Sequence, residues 1–189
     1  MSTPQFAAAL NKLKDAGISM KPVHTEAALF EQWDFMMGQN DDPTAILYIA
    51  LGQRADNPPY GFYSDHCWQC DFESMEGPGS YFRIFDNIMR IANGDITFQD
   101  IDDYCNEEED GEAWVSFTFE GEKYRWDLEV DNDWIDPLIF IKIQDIFAKH
   151  QKKGRLVAFP EGQSMVFSYL TPEEYLLMKA KLELRLHIV

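Results

Sequence analysis

Residues 112–130 constrain the chain more than any other stretch. With Glu120-Gly121 as a two-residue loop, Gly121 supplies the positive φ that a tight hairpin turn needs. That setting pairs Phe119 with Glu122, Phe117 with Tyr124, Val115 with Trp126 and Ala113 with Leu128. All but the first of these pairs are apolar on both sides. The alternate positions pair Thr118 with Lys123, Ser116 with Arg125 and Trp114 with Asp127. Because strand side chains alternate with period two, a slip of one residue would mix the two faces, so the apolar pattern itself specifies the register. Cross-strand aromatic and β-branched pairs contribute roughly 0.2–1 kcal/mol each. The expectation is an antiparallel hairpin with one buried and one wet face.

The flanks of that hairpin are acidic. The window 95–136 holds sixteen Asp and Glu against two basic residues, Lys123 and Arg125, whereas the whole chain has 33 acidic and 16 basic residues and a net charge of −17. Nearly all the excess charge is therefore regional, which points to a surface rather than to general solubility. A field of this sign repels nucleic acid and anionic membranes and attracts basic partners. The prediction is a basic protein partner, with neither nucleic acid nor membrane.

A length of 189 residues suits one domain with room for a small appendage. A hydrophobic content of 46% and an aromatic content of 14% supply a core, which excludes a disordered acidic chain. Apolar runs such as 45–51 fall far short of the ~20 residues a membrane helix needs. The beginning Met-Ser-Thr-Pro-Gln-Phe has no basic region followed by an apolar one, so no secretory signal is expected. Three cysteines, Cys67, Cys70 and Cys105, form an odd and sparse set that favours free thiols in a reducing compartment. The expected location is cytoplasmic.

In chain order, Thr3-Pro4 opens a helix that carries Phe6, Leu10 and Leu13 and stops at Gly17. A second helix is expected over 25–38. The run 45–51 after Asp42-Pro43 reads as either a buried strand or a short helix, since periodicity cannot arbitrate over so few residues. Pro58-Pro59 marks a loop and the boundary of an N-terminal helical extension, residues 1–60, from an α+β domain, residues 61–189. Residues 61–72 read as extended. Ser80 is expected to cap a helix over 81–92, whose Tyr81, Ile84, Phe85, Ile88 and Ile91 recur at helical spacing. A short strand over 96–98 should lead into an acidic loop, 102–112. Beyond the hairpin, Asp136-Pro137 opens a helix, 155–159 and 164–170 form a second hairpin, and Thr171-Pro-Glu-Glu174 is a capping box. The tail 184–189 reads as a last strand. The fold class is α+β: a mainly antiparallel sheet built from hairpins, with helices packed on one face.

Few motifs promise chemistry. Cys67-Trp-Gln-Cys70, preceded by His66, has redox spacing, but a redox pair needs its first Cys at a helix N-terminus. An extended setting sends residues 67 and 70 to opposite faces, so structural thiols are expected. The run Asp131-Asn-Asp-Trp-Ile-Asp136 suggests calcium, yet Ile135 stands where an EF-hand needs an oxygen and no Gly follows. Its simpler reading is a turn in which Asp136 caps the next helix. The four histidines are scattered, and no Ser-His-Asp set or glycine-rich phosphate loop is present. Neither a catalytic residue nor a metal or cofactor site is assigned.

Residues 113–137, from Ala113-Trp-Val-Ser-Phe to Asp133-Trp-Ile-Asp-Pro137, resemble a group of small acidic bacterial proteins. Their pattern is a tryptophan strand, a short turn, a second tryptophan strand, and Asp-Trp-x-Asp-Pro opening a helix. The strand at 68–72 and the helix at 81–92 suit the same architecture. The group is identified with immunity proteins encoded beside secreted polymorphic toxins. The resemblance covers about residues 61–189 and names a fold element, so it carries over no catalytic residue. It implies a non-enzymatic immunity protein that binds and neutralises a basic toxin domain. The expected contacts are Asp102, Asp103, Glu107, Glu108, Glu109, Asp110, Asp131 and Asp133, with Trp134 as aromatic anchor. Two other classes compete: a metal-dependent enzyme or metal-binding protein using clustered carboxylates, and a structural or adaptor subunit, which should expose an apolar patch.

Overall fold

A computed structural model describes residues 4–33, 42–106 and 111–189. Strands β5 (Ala113–Phe119) and β6 (Glu122–Leu128) pair in the register that the apolar pattern dictates, from Ala113 opposite Leu128 to Phe119 opposite Glu122. Glu120 and Gly121 both take positive φ, 49° and 80°, as a tight hairpin turn of this twist requires. Ala113, Val115, Phe117 and Phe119 are buried, and Thr118, Ser116 and Trp114 lie on the more open face.

On the other side of β5 runs β4 (Gln99–Cys105), completing a three-stranded antiparallel sheet in the order β4-β5-β6. The sequence places a strand at 96–98 and a loop from 102; instead Ile96 and Phe98 enter the core ahead of the strand, and Asp100, Asp102 and Asp103 belong to it. A register shift between Gln99 and Asp102, with Asp100 at φ 51°, breaks the alternation that would have revealed it.

The second sheet is also antiparallel, ordered β3 (Trp68–Asp71), β8 (Ser164–Leu170), β7 (Arg155–Glu161), β9 (His187–Ile188). The extended region 61–72 divides between β3 and β2 (Gly61–Phe62), which pairs with β1 (Arg54–Ala55) as a separate ribbon. Between the two sheets lie α4 (Ser80–Ile91) and α5 (Leu138–Lys149), whose Ile84, Phe85, Ile88, Ile143 and Phe147 join Phe98, Phe117, Phe119, Leu156 and Phe167 in one core. The rings interlock, with Phe85 4.7 Å from both Phe98 and Phe117, and Phe140 stacked 4.4 Å from Phe167. Such contacts add about 0.5–1.5 kcal/mol each beyond the area they bury.

The other face of the second sheet is covered by α1 (Pro4–Asp15), α2 (Glu26–Trp33), α3 (Pro43–Leu51) and α6 (Pro172–Lys181), which form a second core with Val157, Phe159, Val166 and Leu170. Residues 45–51 are helical: Asp42 Oδ1 accepts the N–H of Thr44 at 2.9 Å and Pro43 stands in the first turn, so capping chemistry settles what periodicity could not. Residues 46–51 of α3 are buried on every side, as expected of a helix apolar all round. Tyr48 of this helix hydrogen-bonds Ser168 of β8 at 2.8 Å. Among the described residues no helix is long and apolar enough to cross a membrane.

Candidate partner-binding surface

The row Cys105–Ala113–Leu128 closes one end of the β4-β5-β6 sheet. Two acidic connections leave from this end: residues 106–112 between β4 and β5, and residues 129–134 after β6. The hydrogen bond from Asn106 N–H to Glu112 O at 2.9 Å draws the first one shut at its base. Topology thus gathers two segments separated by the whole β5–β6 hairpin in the sequence window of highest charge.

The wet face of the sheet carries a second feature at the same end. Tyr104 pairs across the ladder with Trp114, and Trp114 with Asp127. Tyr104 and Trp114 stack with centroids 6.4 Å apart and 22° between planes, and Tyr104 is 40% exposed. The Arg125 guanidinium lies 4.1 Å over the Trp114 ring, 3.9 Å from a Glu112 oxygen and 3.8 Å from one of Asp127. Asp102, one step along on the same face of β4, is exposed opposite Ser116. Two stacked aromatics are therefore surrounded by Asp102, Glu112 and Asp127. Solvent screening keeps each ion pair here weak, in the ~0–1 kcal/mol range.

Asp103 faces the opposite way. Its carboxylate accepts the N–H groups of Gly79 (2.9 Å), Tyr81 (2.9 Å) and Phe82 (3.1 Å), capping α4 from a neighbouring strand. Ser80 therefore does not cap this helix. The capping position is Gly79, at φ 95°, and the Ser80 hydroxyl accepts the N–H of Glu76 instead. A carboxylate at a helix N-terminus satisfies otherwise orphaned donors and complements the dipole.

Asp131, Asp133 and Trp134 form an exposed turn after β6. Trp134 N–H donates to Asp131 O, Met75 N–H to Asp133 O and Ile135 N–H to Phe72 O, which fastens the turn to residues 72–75. Trp134 is 38% exposed. Exposed Glu73 and Glu76 extend the acidic border on that side, with Glu76 3.2 Å from Arg83. Glu107, Glu108, Glu109 and Asp110 lie outside the described residues. Of the sequence-expected contacts, Asp131, Asp133 and Trp134 lie on the turn beyond one end of the sheet, Asp102 is exposed at mid-strand on its wet face, and Asp103 is committed to α4. Sequence reasoning left Tyr104, Glu112, Trp114 and Asp127 out of the contact set. The hairpin register already paired Trp114 with Asp127, and recognition of β4 would have added Tyr104.

The other sequence features take the following positions in the fold. Cys67 immediately precedes β3, Cys70 lies within it, and the two enter different cores, so they face away from each other. Burial pushes the Cys67 thiol up to about 12 and the Cys70 thiol higher still. Asp136 accepts the N–H of Leu138 through Oδ1 and that of Glu129 through Oδ2, tying the start of α5 to the end of β6. Among the described residues no three His, Cys, Asp or Glu side chains are placed to share a metal ion. A cleft of about 400 Å³ lies between β3 and α4. Arg83 on its wall is held by Ser74 O and Ser80 Oγ, and the neighbouring Arg90 by Ser64 O and Cys67 O while stacked 3.6 Å over Phe62. No family model matches the chain, and comparison with curated proteins and with solved structures finds no match to either.

Proposed function

We propose that this protein is a non-enzymatic binding protein that captures a basic protein partner on the acidic end of its three-stranded sheet. The observation that carries this reading is the setting of Asp102, Glu112 and Asp127 around the stacked pair Tyr104–Trp114, with Asp131 and Asp133 exposed on the turn that follows β6. Carboxylates set in this way accelerate encounter with a cationic surface, and rigid aromatics supply contact area at low entropic cost. In its finer form the proposal is a cytoplasmic immunity protein that occludes a toxin domain. That form rests on the resemblance of residues 113–137 to immunity proteins.

The test is capture of partners from native lysate at low salt, elution with salt, and identification of the eluted chains. A single stoichiometric basic protein supports the proposal; a monomeric bait that retains nothing defeats it. With the partner in hand, Glu107, Glu108 and Glu109 are changed together to Lys and association is followed by stopped flow. The expected result is an on-rate at least about tenfold lower at low salt, a flatter salt dependence and unchanged thermal stability. An unaltered on-rate removes the acidic end as the binding surface. Toxin neutralisation is checked separately, by whether the protein abolishes the captured partner's toxicity on co-expression.

A further inference from the structure

Helix α6 presents an apolar stripe that none of the described residues covers. Of its ten residues only Met178 is buried, while Leu176 is 65% exposed and Leu177 44% exposed. Glu173, Leu176, Leu177 and Ala180 follow i, i+3, i+4, i+7 spacing and share one face. Beside Leu176 the stripe continues into an apolar groove of about 230 Å³ between α6 and β9, lined by Val157, Leu170, Tyr175 and Ile188. Ile188 is itself 52% exposed. Surface leucines that occur singly need no explanation, but a contiguous patch of this kind marks an interaction site.

The charge pattern identifies the occupant. Glu173 and Glu174 stand in the first turn of α6, and Lys179 and Lys181 in the last. Leu176 and Leu177 are the two central residues of the helix Pro172–Lys181. A two-fold axis through that centre sets a second α6 antiparallel to the first. Leu176 and Leu177 then meet the same residues of the other copy. Glu173 falls opposite Ala180 of that copy, between its Lys179 and Lys181, and the small alanine lets the helices approach. The stripe is thus self-complementary, which is what an isologous interface demands. Repulsion between two chains of charge −17 is also least here, because residues 137–189 hold eight basic and five acidic side chains while the acidic excess sits in 95–136. α6 packs on α1 and β8, not on the acidic sheet.

We propose that the protein forms a two-fold homodimer through antiparallel packing of α6, with Leu176 and Leu177 at its centre and Glu173 paired with Lys179 and Lys181 of the second copy. A ten-residue helix is about 15 Å long. The contact therefore belongs at the small end of specific interfaces, below about 1,200 Å², and the dimer is reversible.

Sedimentation of the full chain over a wide concentration range tests this. Wild type should pass from monomer to dimer, and Leu176→Ser with Leu177→Ser should stay monomeric with unchanged circular dichroism and thermal midpoint. Glu173→Lys alone, and Lys179→Glu with Lys181→Glu, should each weaken the dimer about five- to tenfold. All three charge changes together should restore it to within about threefold of wild type. A wild type that is monomeric throughout overturns the proposal. So does a dimer indifferent to the leucine changes, or a combined charge exchange no better than its parts, since either assigns the contact to another surface.

Discussion

Asp102 and Asp103 are adjacent, identical in chemistry and opposite in role. The strand alternation sends one to solvent and the other to the N-terminus of α4. Asp103→Ala leaves the N–H groups of Gly79, Tyr81 and Phe82 without their acceptor, and is expected to cost about 1–3 kcal/mol in urea unfolding. Asp102→Ala should stay within about 0.5 kcal/mol of wild type and act on partner association alone. Equal stability losses for the two would contradict the assigned orientations. The buried thiols give a second residue-scale expectation. Cys67 is held protonated up to about 12 by burial, whereas an unfolded cysteine ionises near 8.5. Because the folded value is raised, the stabilisation is fully present below about pH 8.5 and is lost as the pH rises towards 12. Native Cys67 and Cys70 should therefore resist iodoacetamide at neutral pH and react once urea unfolds the chain; rapid native alkylation would refute this. That residues 67 and 70 take opposite faces was legible from the extended setting alone.

At the scale of elements, legibility followed the strength of local pattern. The β5–β6 hairpin was readable to the residue because apolar alternation and the turn glycine agree. Strand β4 was not, because its Asp-rich sequence has poor strand propensity and its bulge interrupts the period. The consequence for the site is direct: without β4 the sequence neither sets Tyr104 beside Trp114 nor separates Asp103 from the solvent-facing acids. Helix α3 was ambiguous by length and decided by its Asp-Pro start. How α3 meets the sheet is a tertiary matter that no local signal reports. The carbonyl oxygen of Gly52, at its end, accepts the N–H of Gln69 at 3.0 Å. A Cβ on Gly52 would stand 2.5 Å from the Gln69 backbone nitrogen, and backbone cannot rotate aside as a side chain can. Its φ of −76° suits any residue, so the requirement is space. Gly52→Ala should accordingly destabilise by about 3 kcal/mol, a loss of roughly 6–12 °C in thermal midpoint. A midpoint within a degree or two of wild type would mean that α3 and β3 can separate at little cost.

Across the whole molecule, the distribution of charge was legible and its three-dimensional focus was not. Counting alone located the acidic excess in 95–136, but only strand order shows that 106–112 and 129–134 leave the same end of one sheet. Carboxylates held there face few cations: Arg125 serves both Glu112 and Asp127, and Asp131 and Asp133 have no basic partner among the described residues. Such an arrangement repels itself, and the repulsion is part of the free energy of folding. Mobile ions weaken it, since the screening length falls from about 30 Å at 0.01 M salt to about 8 Å at 0.15 M. Thermal stability should therefore rise with sodium chloride over that range. Asp131→Asn with Asp133→Asn should raise the midpoint at low salt by a few degrees, and the gain should shrink as salt is added. The same double variant should bind the captured basic partner more slowly, because the charges that destabilise the free protein are those that attract the partner. Stability that is indifferent to salt, together with an unchanged association rate for the double variant, would mean that these carboxylates are too widely solvated to act as one surface. A stabilised variant that binds as fast as wild type would separate the two effects and move the contact away from the 131–134 turn, towards Tyr104 and Trp114.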